Sequence, residues 1–145
     1  MEKSNAMVYF WLAGDSFPVE EVTRRLGIIP TESYRKGDVI RYYPIYHTRI
    51  ETAWKYGTDY QETVDIENQF AQIISPLQMK KEELTAIIND YSIEAGITIV
   101  LNILEGQTPA LFFTKEVIQF AAELQLEIDV DLYAYPYKED QEDLF

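Results

Sequence analysis

The chain has 145 residues, 47% of them hydrophobic and 14% aromatic, with a formal net charge of −13. That length fits one domain with a buried core, and the apolar share is too high for a disordered chain. With no cysteine and a single histidine, His47, the sequence excludes disulfides, thiolate metal sites, thiol nucleophiles and multi-histidine metal centres.

In chain order, "AMVYFWL" over Ala6 to Leu12 predicts a strand, β-branched and aromatic on both faces. Gly14, Asp15 and Ser16 break it. A helix follows with Pro18 in its first turn, Glu20 and Glu21 near its positive end, and Val19, Val22 and Leu26 on one apolar stripe. Gly27 stands where a left-handed terminal residue is wanted, and Pro30 prevents a restart. No helical period survives from Thr31 to Ile50. Such long irregular stretches tend to be functional, mobile or partly strand. "TAWKYGT", Thr52 to Thr58, reads as a strand.

Asp65 is placed to cap a helix carrying Ile66, Phe70, Ile73, Ile74 and Leu77, which Pro76 would break near its end. A second helix is predicted from about Lys80 to Tyr91, facing inward with Leu84, Ile87, Ile88 and Tyr91. "ITIVLNIL", Ile97 to Leu104, is the clearest strand, and Pro109 opens a short extended piece, "ALFF". Thr114 is the cap of a further helix with Val117, Ile118, Ala121 and Leu124 inward. Leu126 to Tyr135 then alternates, with Leu126, Ile128, Val130 and Leu132 on one face and Glu127, Asp129, Asp131 and Tyr133 on the other.

Strand–helix–strand thus appears twice, with a helical pair between. The order predicts an α+β protein: a ferredoxin-like mixed or antiparallel sheet with helices on one face. Residues 1–137 form the expected single domain, and 138–145 an acidic, flexible tail.

Several residues taken together carry a resemblance. Gly14, Pro18, Glu21, Leu26-Gly27-Ile28, Pro30 and Gly37, then Trp54-Lys55-Tyr56, then Asp131-Leu132-Tyr133, resemble the bacterial domain-of-unknown-function family numbered 4279. The likeness runs from about Tyr9 to Tyr135. It implies a small, single-domain bacterial protein with no assigned activity, and it brings no catalytic residues.

Charge is unevenly placed. Arg24 to Lys55 holds seven of the twelve basic residues against three acids, so +4 sits in one window and −17 in the remainder. This balance argues against nucleic acid as the main partner, since phosphate affinity rests on Lys and Arg. It suits a basic protein partner instead. No apolar run reaches the roughly 20 residues that span a bilayer, and no signal-peptide pattern opens the chain, so a cytoplasmic protein without a membrane partner is expected.

Two patterns are candidate sites. Glu127, Asp129 and Asp131 share one strand face about 7 Å apart from one to the next. Three such carboxylates suit a hard cation, a pair with split pKa values, or partners for neighbouring Arg and Lys. The second is "SYRKGDVIRYYPIYHTR", where Tyr34, Tyr42, Tyr43 and Tyr46 interleave with Arg35, Lys36, Arg41 and Arg49. It suits an anionic ligand or acidic peptide, or it folds over the protein's own acids, with Arg35, Lys36 and Arg41 turned inward to Glu127, Asp129 and Asp131. Tyr9, Trp11, Trp54 and Tyr56 read as core or sheet-face packing, or a dimer surface. His47 has no nearby motif, and no acid–His–nucleophile set is in view.

These readings converge on a non-enzymatic, acidic protein-binding domain, immunity- or adaptor-like. The alternative is a small anionic-ligand or metal-dependent site between the basic loop and the carboxylate strand. The candidate binding residues are Tyr34, Arg35, Arg41, Trp54, Asp129 and Asp131, with no catalytic or metal-ligating residue and no cofactor assigned. A homodimer through a Tyr/Trp-rich sheet face is a further expectation.

Overall fold

A computed structural model describes residues 3–42, 44–63 and 65–138; the expected acidic tail lies, apart from Lys138, outside them. The molecule is built around β1 (Asn5–Gly14), whose alternation decides everything beside it. Ala6, Val8, Phe10 and Leu12 are wholly buried, while Met7, Tyr9 and Trp11 on the opposite face are half-buried. A strand's side chains alternate with period two, so one segment serves two surfaces.

The helix after the break is α1 (Val19–Leu26), with Val19, Val22 and Leu26 buried and Gly27 (φ 65°) closing it through a bond from its N–H to the Thr23 carbonyl. A left-handed residue satisfies carbonyls that the helix end would strand. The irregular stretch contains three short strands, β2 (Glu32–Tyr34), β3 (Val39–Tyr42) and β4 (Ile45–Thr48). β5 (Thr52–Gly57) and β6 (Gln61–Glu62) come next.

The helical pair is α2 (Glu67–Gln78) and α3 (Lys81–Tyr91). The N-cap of α2 is Ile66 rather than the expected Asp65, which stands one residue earlier and whose carboxylate accepts from the Glu67 N–H at 3.2 Å. Pro76 does not break α2 at once: the helix runs on to Gln78 with Pro76 inside it. β7 (Glu94–Ile103), α4 (Lys115–Leu124) and β8 (Glu127–Ala134) complete the chain. The Thr114 hydroxyl caps α4 by accepting from the Val117 N–H. Phe120, not Ile118, joins Val117, Ala121 and Leu124 in the core, and Ile118 is exposed. At 100° per residue, position 118 lies a quarter-turn off the stripe set by 117, 121 and 124, while position 120 falls near it.

The fold is α+β, with a mixed sheet in the order β2-β5-β1-β7-β8 and β6 beside the start of β1. β1 runs antiparallel to both β5 and β7, and β2 antiparallel to β5. β8 is parallel to β7, its crossover made by α4. Both strand–helix–strand halves are present, and in each the two strands are neighbours. Among the described residues β3 and β4 pair only with each other.

The core is one cluster. Val8, Phe10 and Leu12 of β1, Trp54 of β5, and Ile97, Ile99 and Leu101 of β7 meet buried side chains from all four helices. Trp54 lies edge-on to Phe10 with centroids 6.5 Å apart, and its Nε1–H donates to the Thr23 hydroxyl at 3.0 Å. A buried indole N–H needs such a partner.

Candidate functional site

The second face of the sheet is where chemistry gathers. Register puts Tyr9 opposite Gly57 and Trp11 opposite Gly96. The reason is steric: a side chain at Gly96 would run into the Trp11 indole, and one at Gly57 into Tyr9. Gly96 clears space for the Trp11 ring to lie against the neighbouring strand, whereas Gly57 lets the backbone of β5 approach Tyr9 and the Val8 carbonyl closely. Trp11 is held there by its Nε1–H, which donates to the Thr98 hydroxyl at 3.0 Å.

Tyr34 of β2 closes the floor at one side. Lys55 stands over both tyrosines, its Nζ 5.2 Å from the Tyr9 ring centre and 5.3 Å from that of Tyr34. The Arg49 guanidinium lies 3.8 Å from the Tyr34 ring centre and also meets Glu32 at 3.4 Å. Three carboxylates, Glu51, Glu94 and Asp129, join these aromatics around a cleft of about 210 Å³. None of the three makes an ion pair among the described residues. The cleft therefore offers aromatic faces, one lysine and a surplus of two negative charges.

The residues singled out from sequence fall in different places. Tyr34 and Asp129 line this same cleft. Asp131 lies one step further along β8 on the same face, level with Val100. Trp54 points the other way and is fully buried. Arg35 pairs with Glu20, and Lys36 with Asp15 at 2.5 Å, beside a separate open groove lined by Phe17, Pro18 and Tyr91. Arg41 sits on the exposed β3–β4 hairpin and makes no ion pair among the described residues.

The inward pairing of Arg35 and Lys36 with the β8 acids is thus not found. They are satisfied by acids next to them around the start of α1, which leaves Glu127, Asp129 and Asp131 without ion-pair partners among the described residues. Among those residues, no three His, Asp or Glu side chains converge to hold a metal ion. Glu51, Lys55, Glu94 and Thr98 are site residues that sequence reasoning did not single out, and it read Tyr9 and Trp11 as packing or a dimer surface rather than as lining of a cleft. The signal for Tyr9 and Trp11 was the parity of β1, since the fully buried set occupies the even positions.

Some charged groups elsewhere are clearly perturbed. Arg25 pairs with Glu83 at 2.6 Å and Asp90 at 3.0 Å, tying α1 to α3, and its pKa is pushed up chiefly by the Glu83 hydrogen bond. The Lys81 ammonium holds the Glu123 carboxyl below its ordinary value, joining α3 to α4. Both are structural pairs outside the cleft.

No helix among the described residues is long and apolar enough to cross a membrane. Comparison with curated proteins and with solved structures finds no match. The model of one family, described as a domain of unknown function (DUF4279), matches residues 3–135. That match takes in β1 through β8 and every residue of the cleft, so the chain belongs to the DUF4279 family.

Proposed function

We propose that the protein is a non-enzymatic binding protein of the cytoplasm, immunity- or adaptor-like, whose open sheet face takes a basic segment of another protein. The observation that carries this is the cleft, which Tyr9, Trp11 and Tyr34 line together with Glu51, Glu94 and Asp129. Electron-rich ring faces attract cations, and the carboxylates beside them, without ion-pair partners among the described residues, add charge complementarity. Its volume of about 210 Å³ falls short of the roughly 300–1,000 Å³ of small-molecule sites. One Lys or Arg side chain fits that space better than a cofactor does. Lys55 over Tyr9 and Tyr34 is an internal example of the cation the rings accept.

Glu127 and Asp131 extend the negative surface along β8 beyond the cleft, giving a basic segment further contacts. The −17 outside the basic window would speed encounter with such a partner, with a steep dependence on salt.

The test uses Trp11 as reporter in a Trp54→Phe background, titrated with an arginine-rich peptide and, as control, a glutamate-rich one. Saturable change with the basic peptide alone is expected. Asp129→Asn and Glu94→Gln should each weaken binding by roughly fivefold, the scale of about 1 kcal/mol for a partly exposed charge contact. Lys55→Met should strengthen it by removing the resident cation. No response of Trp11 to the basic peptide, or equal response in the charge variants, would sink the reading.

A further inference from the structure

The β3–β4 hairpin is the element that the fold leaves unused. Among the described residues its strands pair with each other and with no other strand, and Val39, Tyr42, Ile45, Tyr46 and the adjoining Ile50 are all more than half exposed. An isolated two-stranded hairpin is marginal in water, so an arm that spends apolar side chains on both faces is built to lie against something. Register gives each face its character. Arg41 sits opposite Tyr46, and Val39 opposite Thr48, on one side; Ile40 opposite His47, and Tyr42 opposite Ile45, occupy the other.

The base of the arm is firmly set. The Gly37 N–H donates to the Arg49 carbonyl and the Arg49 N–H to the Asp38 carbonyl, each at 2.8 Å. Arg49 is further held over Tyr34, at the rim of the cleft. The arm thus springs from the edge of the open sheet face, carries Arg41, which makes no ion pair among the described residues, and belongs to the one basic window of an acidic chain. Across that face lie Glu127, Asp129 and Asp131, which make no ion pair among the described residues.

We infer that the arm's occupant is a second copy of this chain. Two molecules exchange arms across a two-fold axis, each laying the Arg41/Tyr46 face of its arm on the other's open sheet, with Arg41 at the β8 carboxylates. Charge complementarity selects this occupant: the arm carries one cation, Arg41, where the receiving face is acidic, and the same chain supplies both in equal number. This rests on the basic-segment reading of the face and deepens it, because the arm becomes a resident ligand that an external basic partner must displace.

The test is the oligomeric state of the full chain, by light scattering and sedimentation over a concentration and salt series. The protein should be a dimer that salt weakens by at least about tenfold, as expected of contacts between charges. Replacing residues 39–48 by Asn-Gly, which keeps the paired base and supplies a two-residue hairpin turn, should give a folded monomer. Arg41→Glu and Asp129→Lys should each be monomeric alone and form a mixed dimer when combined. A wild-type monomer at every concentration, or a dimer that survives loss of the arm, overturns the inference. So does a monomer whose arm instead binds a glutamate-rich peptide, which would assign the arm to a foreign acidic partner. The arm-deleted form also separates the two readings: if it is monomeric yet its Trp11 ignores the arginine-rich peptide, the basic-segment reading fails while arm exchange stands. If the wild type is monomeric and binds that peptide, the reverse holds.

Discussion

Gly96 shows how one residue sets the chemistry of a whole face. Lacking a side chain, it lets Trp11 lie across β7 and reach Thr98, and so makes a flat aromatic floor out of what would be an outward-pointing indole. Gly96→Ala must lift that ring. We expect a loss of about 1–3 kcal/mol of stability by urea unfolding, the usual scale for forcing a methyl into filled space, together with a red-shifted Trp11 emission in the Trp54→Phe background. Unchanged stability and emission would mean that the ring is not seated as described. In the sequence, "EAGIT" gives no warning of this role, because a glycine in a strand acquires its meaning only from the residue opposite it.

Among elements, the helices were the most legible and the connections the least. Val19, Val22 and Leu26 with Gly27, or Thr114 before α4, carry their signals locally, in spacing and capping. The 31–50 stretch does not. Its strands are three or four residues long, and β2 exists because β5 offers it an edge, which is a tertiary fact. The destination of Arg35 and Lys36 was hidden for the same reason: acids at Asp15 and Glu20 come near only once the chain returns to the start of α1.

The helices are also stitched by charge, and acid should reveal it. Glu123 is held below its ordinary pKa by Lys81, and Glu21 likewise by Arg24. A carboxylate with a depressed folded-state pKa contributes stability that is complete above its unfolded value and is lost as pH falls through the folded one. The urea midpoint should therefore hold steady from neutrality to about pH 5 and decline below about pH 4, where free glutamates titrate. Lys81→Met combined with Glu123→Gln should flatten part of that decline, and an unaltered acid slope would remove the α3–α4 pair from the account.

At the scale of the molecule, the class of fold could be read from the order of elements, because two strand–helix–strand runs around a helical pair leave few ways to bury so many apolar stripes at once. Which surface carries the site could not. The carboxylate strand was visible as alternating residues, but its companions Glu51, Lys55 and Glu94 lie on other strands or beside them, and register alone assembles them. Trp54 and Trp11 are equivalent as sequence and opposite as structure, one sealed in the core and the other flooring the cleft.

Among the described residues β8 is the last strand of the sheet and no strand pairs with its outer edge, and Val130 and Leu132 are substantially exposed on it. A long apolar edge of this kind is a template on which further chains can add as strands. Glu127, Asp129 and Asp131 interrupt it at every second position, so the residues that would receive a partner also act as gatekeepers against uncontrolled polymerisation. Replacing all three by Asn and Gln should leave the fold intact and bring on concentration-dependent turbidity and thioflavin binding near neutral pH, where the parent chain stays clear. A soluble triple variant would show that the edge needs no guard. The same three charges would then be free to vary for binding alone, and the tolerance of this edge to mutation, rather than its affinity, becomes the measure of what the acid ladder is for.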